Sequence, residues 1–197
     1  MSAVGTTTRA RLLRSAQELI EEDGYGAASV VAISQRTGVA AGTMYRHFAS
    51  KEELFVELFR SVCDREVRAG QAAAAALPGS ATAVERMTTV VSTFAERALR
   101  NPRLAWALIA EPVDPLVDAE RLAYRRRYSE LVAHAIGLAI EAGEIPDQDA
   151  TLTAAALVGG CGEALVGPLS PVAGARPPVA EMLEALRTFV RRAVGAQ

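Results

Sequence analysis

The stretch "GVAAGTMYRHFASK", residues 38–51, gathers the side chains of Thr43, Tyr45, Arg46, His47 and Lys51 within little more than two helical turns. Hydroxyl, phenol, guanidinium, imidazole and ammonium groups together donate hydrogen bonds and positive charge, a chemistry of recognition more than of bond breaking. No Asp or Glu occurs from Gly24 through Lys51, although Glu18, Glu21, Glu22 and Asp23 come just before and Glu52, Glu53 and Glu57 just after. Arg36 shares this window. The net charge is −2, which argues against a wholly basic nucleic-acid binder, so the distribution carries more information than the sum.

Other chemically capable residues lead nowhere comparable. Cys63 and Cys161 lie far apart without a second Cys or paired His beside either, so neither a zinc site nor a disulfide framework is indicated, and both read as buried thiols. Glu130 and His134 stand at i, i+4 but lack a third metal ligand, and Arg125 to Arg127 read as a solvated helix face. "GGCGE" at 159–163 lacks the spacing of a nucleophile elbow and any strand before it. We therefore expect no catalytic residues, no metal and no cofactor.

The elements that position the polar cluster follow from periodicity and punctuation. Half of the 197 residues are apolar, aromatics are scarce and long Gly-free runs of helix formers dominate, which predicts an all-α fold. Over 8–23, Leu12, Leu13, Ala16, Leu19 and Ile20 form one apolar stripe that Gly24 ends. Ser29 caps a short helix reaching Thr37, Gly38 supplies a turn, and a second short helix covers about 40–47. On that second helix Met44 and Phe48 lie together, Gly42, Thr43, Arg46 and His47 span the opposite side, and Tyr45 sits on the flank. Ser50 and Glu53 have capping-box spacing, predicting a helix from Lys51 to about Ala76. Longer helices are predicted at about 81–100, 102–111, 114–142, 148–167 and 178–195, separated by Pro- and Gly-containing breaks that include "GPLSPVAGARPP" at 167–178. The N-terminus lacks a secretory pattern and no run of eighteen residues suits a bilayer, so a cytoplasmic protein without a membrane partner is expected.

Two short helices joined through a Gly turn, with an exposed polar stripe on the second, make a helix-turn-helix. Such a helix fits the DNA major groove, where Thr43 and Arg46 meet base edges or phosphates. Lys51, at a helix N-terminus, adds its charge to N–H groups that already favour phosphate.

The stretch "GYGAASVVAISQRTGVAAGTMYRHFASKEELF", with "TTTRARLLRSAQELIEEDGY" before it, resembles the N-terminal DNA-binding domain of the TetR family of transcriptional regulators over about residues 8–62. The resemblance implies DNA contacts from Thr43, Tyr45, Arg46 and His47, assisted by Lys51, the backbone near Gly42 and the Ser29 hydroxyl. Ala40 and Ala41 stand where family members often carry Ser or Thr, removing a side-chain cap of about 1 kcal/mol.

It further implies a DNA-binding domain over 1–55 and a larger helical domain over 56–197 that binds ligand and dimerises. The last two helices would form a homodimer, and a small, mostly apolar effector would release a repressor from a pseudo-palindromic operator in double-stranded DNA. For its pocket, Met87, Phe94, Trp106, Ile109, Tyr124 and Tyr128 combine apolar surface with polar handles. Two alternatives without DNA binding are an all-helical protein-interaction scaffold and a small hydrolase.

Overall fold

The computed structural model describes residues 7–172, 174 and 177–196. Residues 1–6, the start of the N-terminus read above for a secretory pattern, and parts of the predicted 167–178 break lie outside the described residues. Nine α-helices follow in order: α1 Thr8–Asp23, α2 Val30–Thr37, α3 Ala41–His47, α4 Lys51–Ala75, α5 Ala83–Arg100, α6 Pro102–Ile109, α7 Pro115–Glu141, α8 Ala150–Leu169 and α9 Val179–Ala193, with a 3-10 turn at Tyr25–Ala27 and no strand among the described residues.

Local chemistry sets the helix ends. The Thr7 hydroxyl accepts the Ala10 N–H, Ser29 accepts that of Ala32 and Ser50 accepts that of Glu53, each satisfying a donor left free in a first turn. The Glu53 carboxylate takes the N–H of Ala49 instead of Ser50, so the reciprocal half of that box is shifted by one residue. The full capping box occurs at α5, between Thr82 and Glu85. Gly38 closes α2 at φ 72°, a left-handed conformation that other residues adopt only at a cost.

The N-terminal end is built on one core cluster and the other end on a second. Leu12, Ile33, Met44, Phe48, Leu54 and Phe55 pack α1–α4 together, and Leu104, Val117 and Tyr124 from α6 and α7 join them. Val84, Ala95, Ile136, Leu157, Leu165 and Val190 unite α5, α7, α8 and α9. Helix α4 passes unbroken through residues 55 and 56 and remains in the first cluster as far as Cys63.

Helix α8 departs from expectation twice. It continues through Pro168 to Leu169, because a proline in the last turn removes a single ladder bond and Ser170 still donates to Val166. It is also long and apolar enough, by length and composition alone, to cross a bilayer, contrary to the expectation that no run would be. Its hydropathy comes from its Leu, Val and Ala residues, and Ala154, Leu157, Cys161, Leu165 and Leu169 are buried in the second core.

Candidate nucleic-acid interface and ligand cavity

Helix α3 is anchored from behind. Met44 and Phe48 are 0% and 1% exposed, and Arg9 of α1 stacks its guanidinium 4.4 Å from the Phe48 ring centroid while pairing with Glu57 of α4. Arg11 donates to the Thr37 carbonyl at the end of α2 over 2.5 Å, where a cation is favoured by the helix dipole. The two short helices are thereby fixed to α1 and α4 from several sides.

The opposite side of α3 faces solvent. Gly42, Tyr45 and Arg46 are exposed, Tyr45 by 53%, whereas Thr43 and His47 are half-buried. Arg46 reaches back to the Thr43 hydroxyl over 3.1 Å, so the two form one local unit. Ser29 is exposed at the start of α2, its oxygen accepting from the Ala32 N–H. The ammonium of Lys51 lies 5.2 Å from the ring centroids of both Tyr25 and Phe55, a cation–π arrangement that holds the charge at the start of α4. Ala40 offers no side-chain cap to α3, as its methyl dictates, leaving first-turn N–H groups of that helix without one.

Arg36 has a different role from its neighbours in the acid-free window. Both its terminal nitrogens donate to Glu22 of α1, over 2.7 and 2.5 Å. This hydrogen-bonded pairing raises the Arg36 pKa and lowers that of Glu22, and its charge is neutralised locally. Glu22 lies outside the window in sequence, so counting along the chain alone could not find the pair.

A cavity of about 380 Å³ lies among α4, α5, α6, α7 and α8 and reaches Gln17 of α1. Met87, Phe94, Ile109, Tyr124 and Tyr128 stand on its wall. Trp106 does not: α6 turns Leu104, Ala105, Leu108 and Ile109 toward the space, and Trp106 is half-buried against the second core. The Tyr124 hydroxyl is committed to the Asp64 carboxylate at 2.9 Å and lies 3.2 Å from the Arg60 carbonyl.

Three wall residues had no sequence signal as pocket residues. Cys63 and Cys161, distant in the chain, line the same space, and burial pushes their thiols up to about 12 and about 11. Arg121 donates to the carbonyls of Leu108, Ala107 and Glu111 and to Asp118, closing the end of α6; burial lowers its pKa. Elsewhere on α7, Glu130 and His134 are exposed, and Arg127 pairs with Asp64 at 3.0 Å, so the Arg125 to Arg127 run does not converge on one point.

A small helix-turn-helix unit followed by a cavity-bearing helical bundle defines the class of protein. The family described as "Bacterial regulatory proteins, tetR family" matches residues 12–58, and the "Tetracyclin repressor-like, C-terminal domain" matches residues 80–165. The chain belongs to the TetR family.

Among curated relatives, the HTH-type transcriptional regulator UidR of Escherichia coli (strain K12) is 41% identical over 54 residues, 27% of this chain and 28% of that protein. The HTH-type transcriptional repressor KstR of Mycobacterium tuberculosis is 29% identical over 142 residues, 72% of this chain and 61% of that protein. The matched segments thus span less than two thirds of either relative. The transcriptional regulator FadR from Bacillus subtilis, solved in complex with stearoyl-CoA, superposes with a TM-score of 0.76 over 91% of this chain and 96% of that one, at 20% identity, a likeness of fold.

Proposed function

We propose that the protein is a cytoplasmic, homodimeric transcriptional repressor that reads a pseudo-palindromic operator in double-stranded DNA and is released by a small, mostly apolar effector. The observation that carries this reading is the exposed face of α3, where Gly42, Tyr45 and Arg46 project from a helix whose other side is locked into the core by Met44 and Phe48. Ser29, Thr43, His47 and Lys51 are the further candidates for phosphate or base contact, Lys51 at a helix start where anions are favoured.

Dimerisation is assigned to α8 and α9. Helix α8 exposes Leu152, Ala155, Ala156, Gly159, Glu163 and Ala164, small residues apart from Leu152 and Glu163, and α9 exposes Phe189 beside Gly160. Such a surface permits close approach of a second pair of helices. Two recognition helices carried on one two-fold axis would read half-sites whose spacing mirrors it. An effector that binds more tightly to a conformation with displaced recognition helices would lower operator affinity.

The test is selection from a randomised duplex pool at near-physiological salt with purified protein. A two-fold symmetric motif is the expected result, with affinity falling steeply as salt rises because phosphate contacts release counterions. Absence of enrichment from a dimeric sample would overturn the reading in favour of a protein-interaction scaffold.

A further inference from the structure

We propose that the cavity recognises an uncharged, compact, mostly apolar molecule with a single hydrogen-bonding group, and that the Tyr128 hydroxyl is the wall group that receives it. This deepens the effector part of the proposed function and rests on that cavity being the effector site.

The charged side chains around the space are already occupied or at its edge. Arg97 and Glu66 form a two-bond ion pair, with one of the bonds at 3.0 Å. Arg121 spends its guanidinium on three backbone carbonyls and Asp118. Arg65, Arg100 and Arg125 are exposed and mark the rim, Arg100 paired with Glu96 at 2.5 Å. Arg65 and Arg125 have no acidic partner among the described residues, their bonds going to Gln17 and to the Ile109 carbonyl, but both side chains are exposed at the rim. Deeper in, Arg97 and Arg121 are already paired, and placing an ion there without a free counter-charge is strongly unfavourable.

Apart from the weakly donating thiols of Cys63 and Cys161, Tyr128 differs from its polar neighbours. Among the described residues its hydroxyl has no hydrogen-bond partner, and the only unpaired side-chain oxygen sealed from solvent is that of Ser34, so the Tyr128 oxygen meets open space. Its ring packs 6.1 Å from Phe94, and Tyr128 is on the cavity wall near Cys63 and Glu66. Burial raises the phenol well above its ordinary range, which keeps the proton in place as a donor. The remaining surface is furnished largely by Phe59, Val62, Met87, Val91, Phe94 and Leu157.

Size narrows the class. The cavity volume of about 380 Å³ lies near the lower end of the roughly 300–1,000 Å³ usual for small-molecule sites, which suits a compact occupant.

The experiment measures binding to the full chain without DNA, by calorimetry or thermal shift. The probes are 4-phenylphenol, biphenyl and biphenyl-4-carboxylate, all near the required size. The expected result is saturable binding of 4-phenylphenol, at least tenfold weaker binding of the carboxylate, and a loss of about fivefold for 4-phenylphenol in Tyr128→Phe, with biphenyl unaffected. Equal or tighter binding of the carboxylate, no binding of 4-phenylphenol, or equal loss of 4-phenylphenol and biphenyl in Tyr128→Phe would each overturn the proposal. Because no DNA is present, failure of the regulator reading appears separately, as absence of operator selection by a protein that binds the phenol as expected.

Discussion

The Tyr25 hydroxyl donates a 2.6 Å hydrogen bond to the Asp114 carboxylate, joining the turn after α1 to the α6–α7 loop. In the same place both oxygens of Glu111 lie 3.2 Å from the Tyr25 backbone nitrogen. The Glu111 carbonyl in turn accepts from Arg121, whose side chain lies on the cavity wall. A hydrogen-bonded route therefore runs from the cavity wall at Arg121 through Glu111 to the Tyr25–Ala27 turn that follows α1. It complements α4, which runs from Lys51 past the cavity residues Phe59, Val62 and Cys63.

Removing the phenol oxygen tests this route. Tyr25→Phe should lower stability by about 1–2 kcal/mol in urea unfolding, since a hydrogen bond to a carboxylate is lost while the ring remains. If the route transmits ligand binding, the same variant should also show a smaller ligand-induced drop in DNA affinity. A full response to ligand in the destabilised variant would confine Tyr25 to a structural role.

Arg46 is the residue of α3 best placed to discriminate bases, because it is exposed and its only hydrogen bond among the described residues is to Thr43. Arg46→Ala should weaken binding to the selected operator by about 1–3 kcal/mol if the guanidinium grips a guanine, with relaxed preference at that base pair. A uniform loss over all sequences, with a shallower salt dependence, would assign it to phosphate.

The recognition unit was legible because its determinants are local. Ser29, Gly38, Ser50 and the Met44–Phe48 spacing set caps, turn and buried face within a few residues of one another, and the helices form where those signals lie. The cavity was only partly legible. Aromatic and apolar candidates on α5, α6 and α7 could be chosen by type, but which side of α6 faces inward depends on how that helix is pinned by Arg121 and α1, and Trp106 falls on the other side. Arg36–Glu22, Tyr25–Asp114 and the facing of Cys63 and Cys161 join positions brought close only by folding.

Arg60 and Glu120 form an ion pair between α4 and α7, and the hydrogen bond from Arg60 lowers the Glu120 pKa from its ordinary value of 4.5. A carboxylate held below its unfolded value stabilises the fold above that value and loses the contribution as pH falls through the folded one. Arg60→Ala should therefore lower the urea midpoint at pH 7, by less than about 1 kcal/mol because the pair is screened by solvent. The difference should shrink on acidification and vanish once Glu120 is protonated in both proteins. A difference independent of pH would assign the effect to packing.

The two cavity thiols should be slow nucleophiles. With folded values of about 12 and about 11, against ~8.5 for a free cysteine, their thiolate fractions at pH 8 are lower by more than about two orders of magnitude. Iodoacetamide labelling followed by mass spectrometry should show both Cys63 and Cys161 alkylated rapidly in denaturant and at least a hundredfold more slowly in the native protein. Prompt native labelling of either would show that its thiol is more accessible or more acidic than its surroundings here imply.

The dimer assignment turns on Phe189, 43% exposed on α9 and close enough to α8 that a Cβ added to Gly160 would stand 3.2 Å from its ring. A ring held between two helices and half open to solvent is suited to central contact with a second copy, where desolvated aromatics contribute most. Phe189→Arg places a charge in that contact and should raise the dimer dissociation constant at least tenfold in sedimentation equilibrium. Binding to a single half-site should be unchanged, because α3 lies in the other core cluster, whereas affinity for the two-fold operator should fall toward that of one half-site. An unaltered dimer would move the interface away from α9, with the exposed Leu131 and Leu138 of α7 the next surface to substitute.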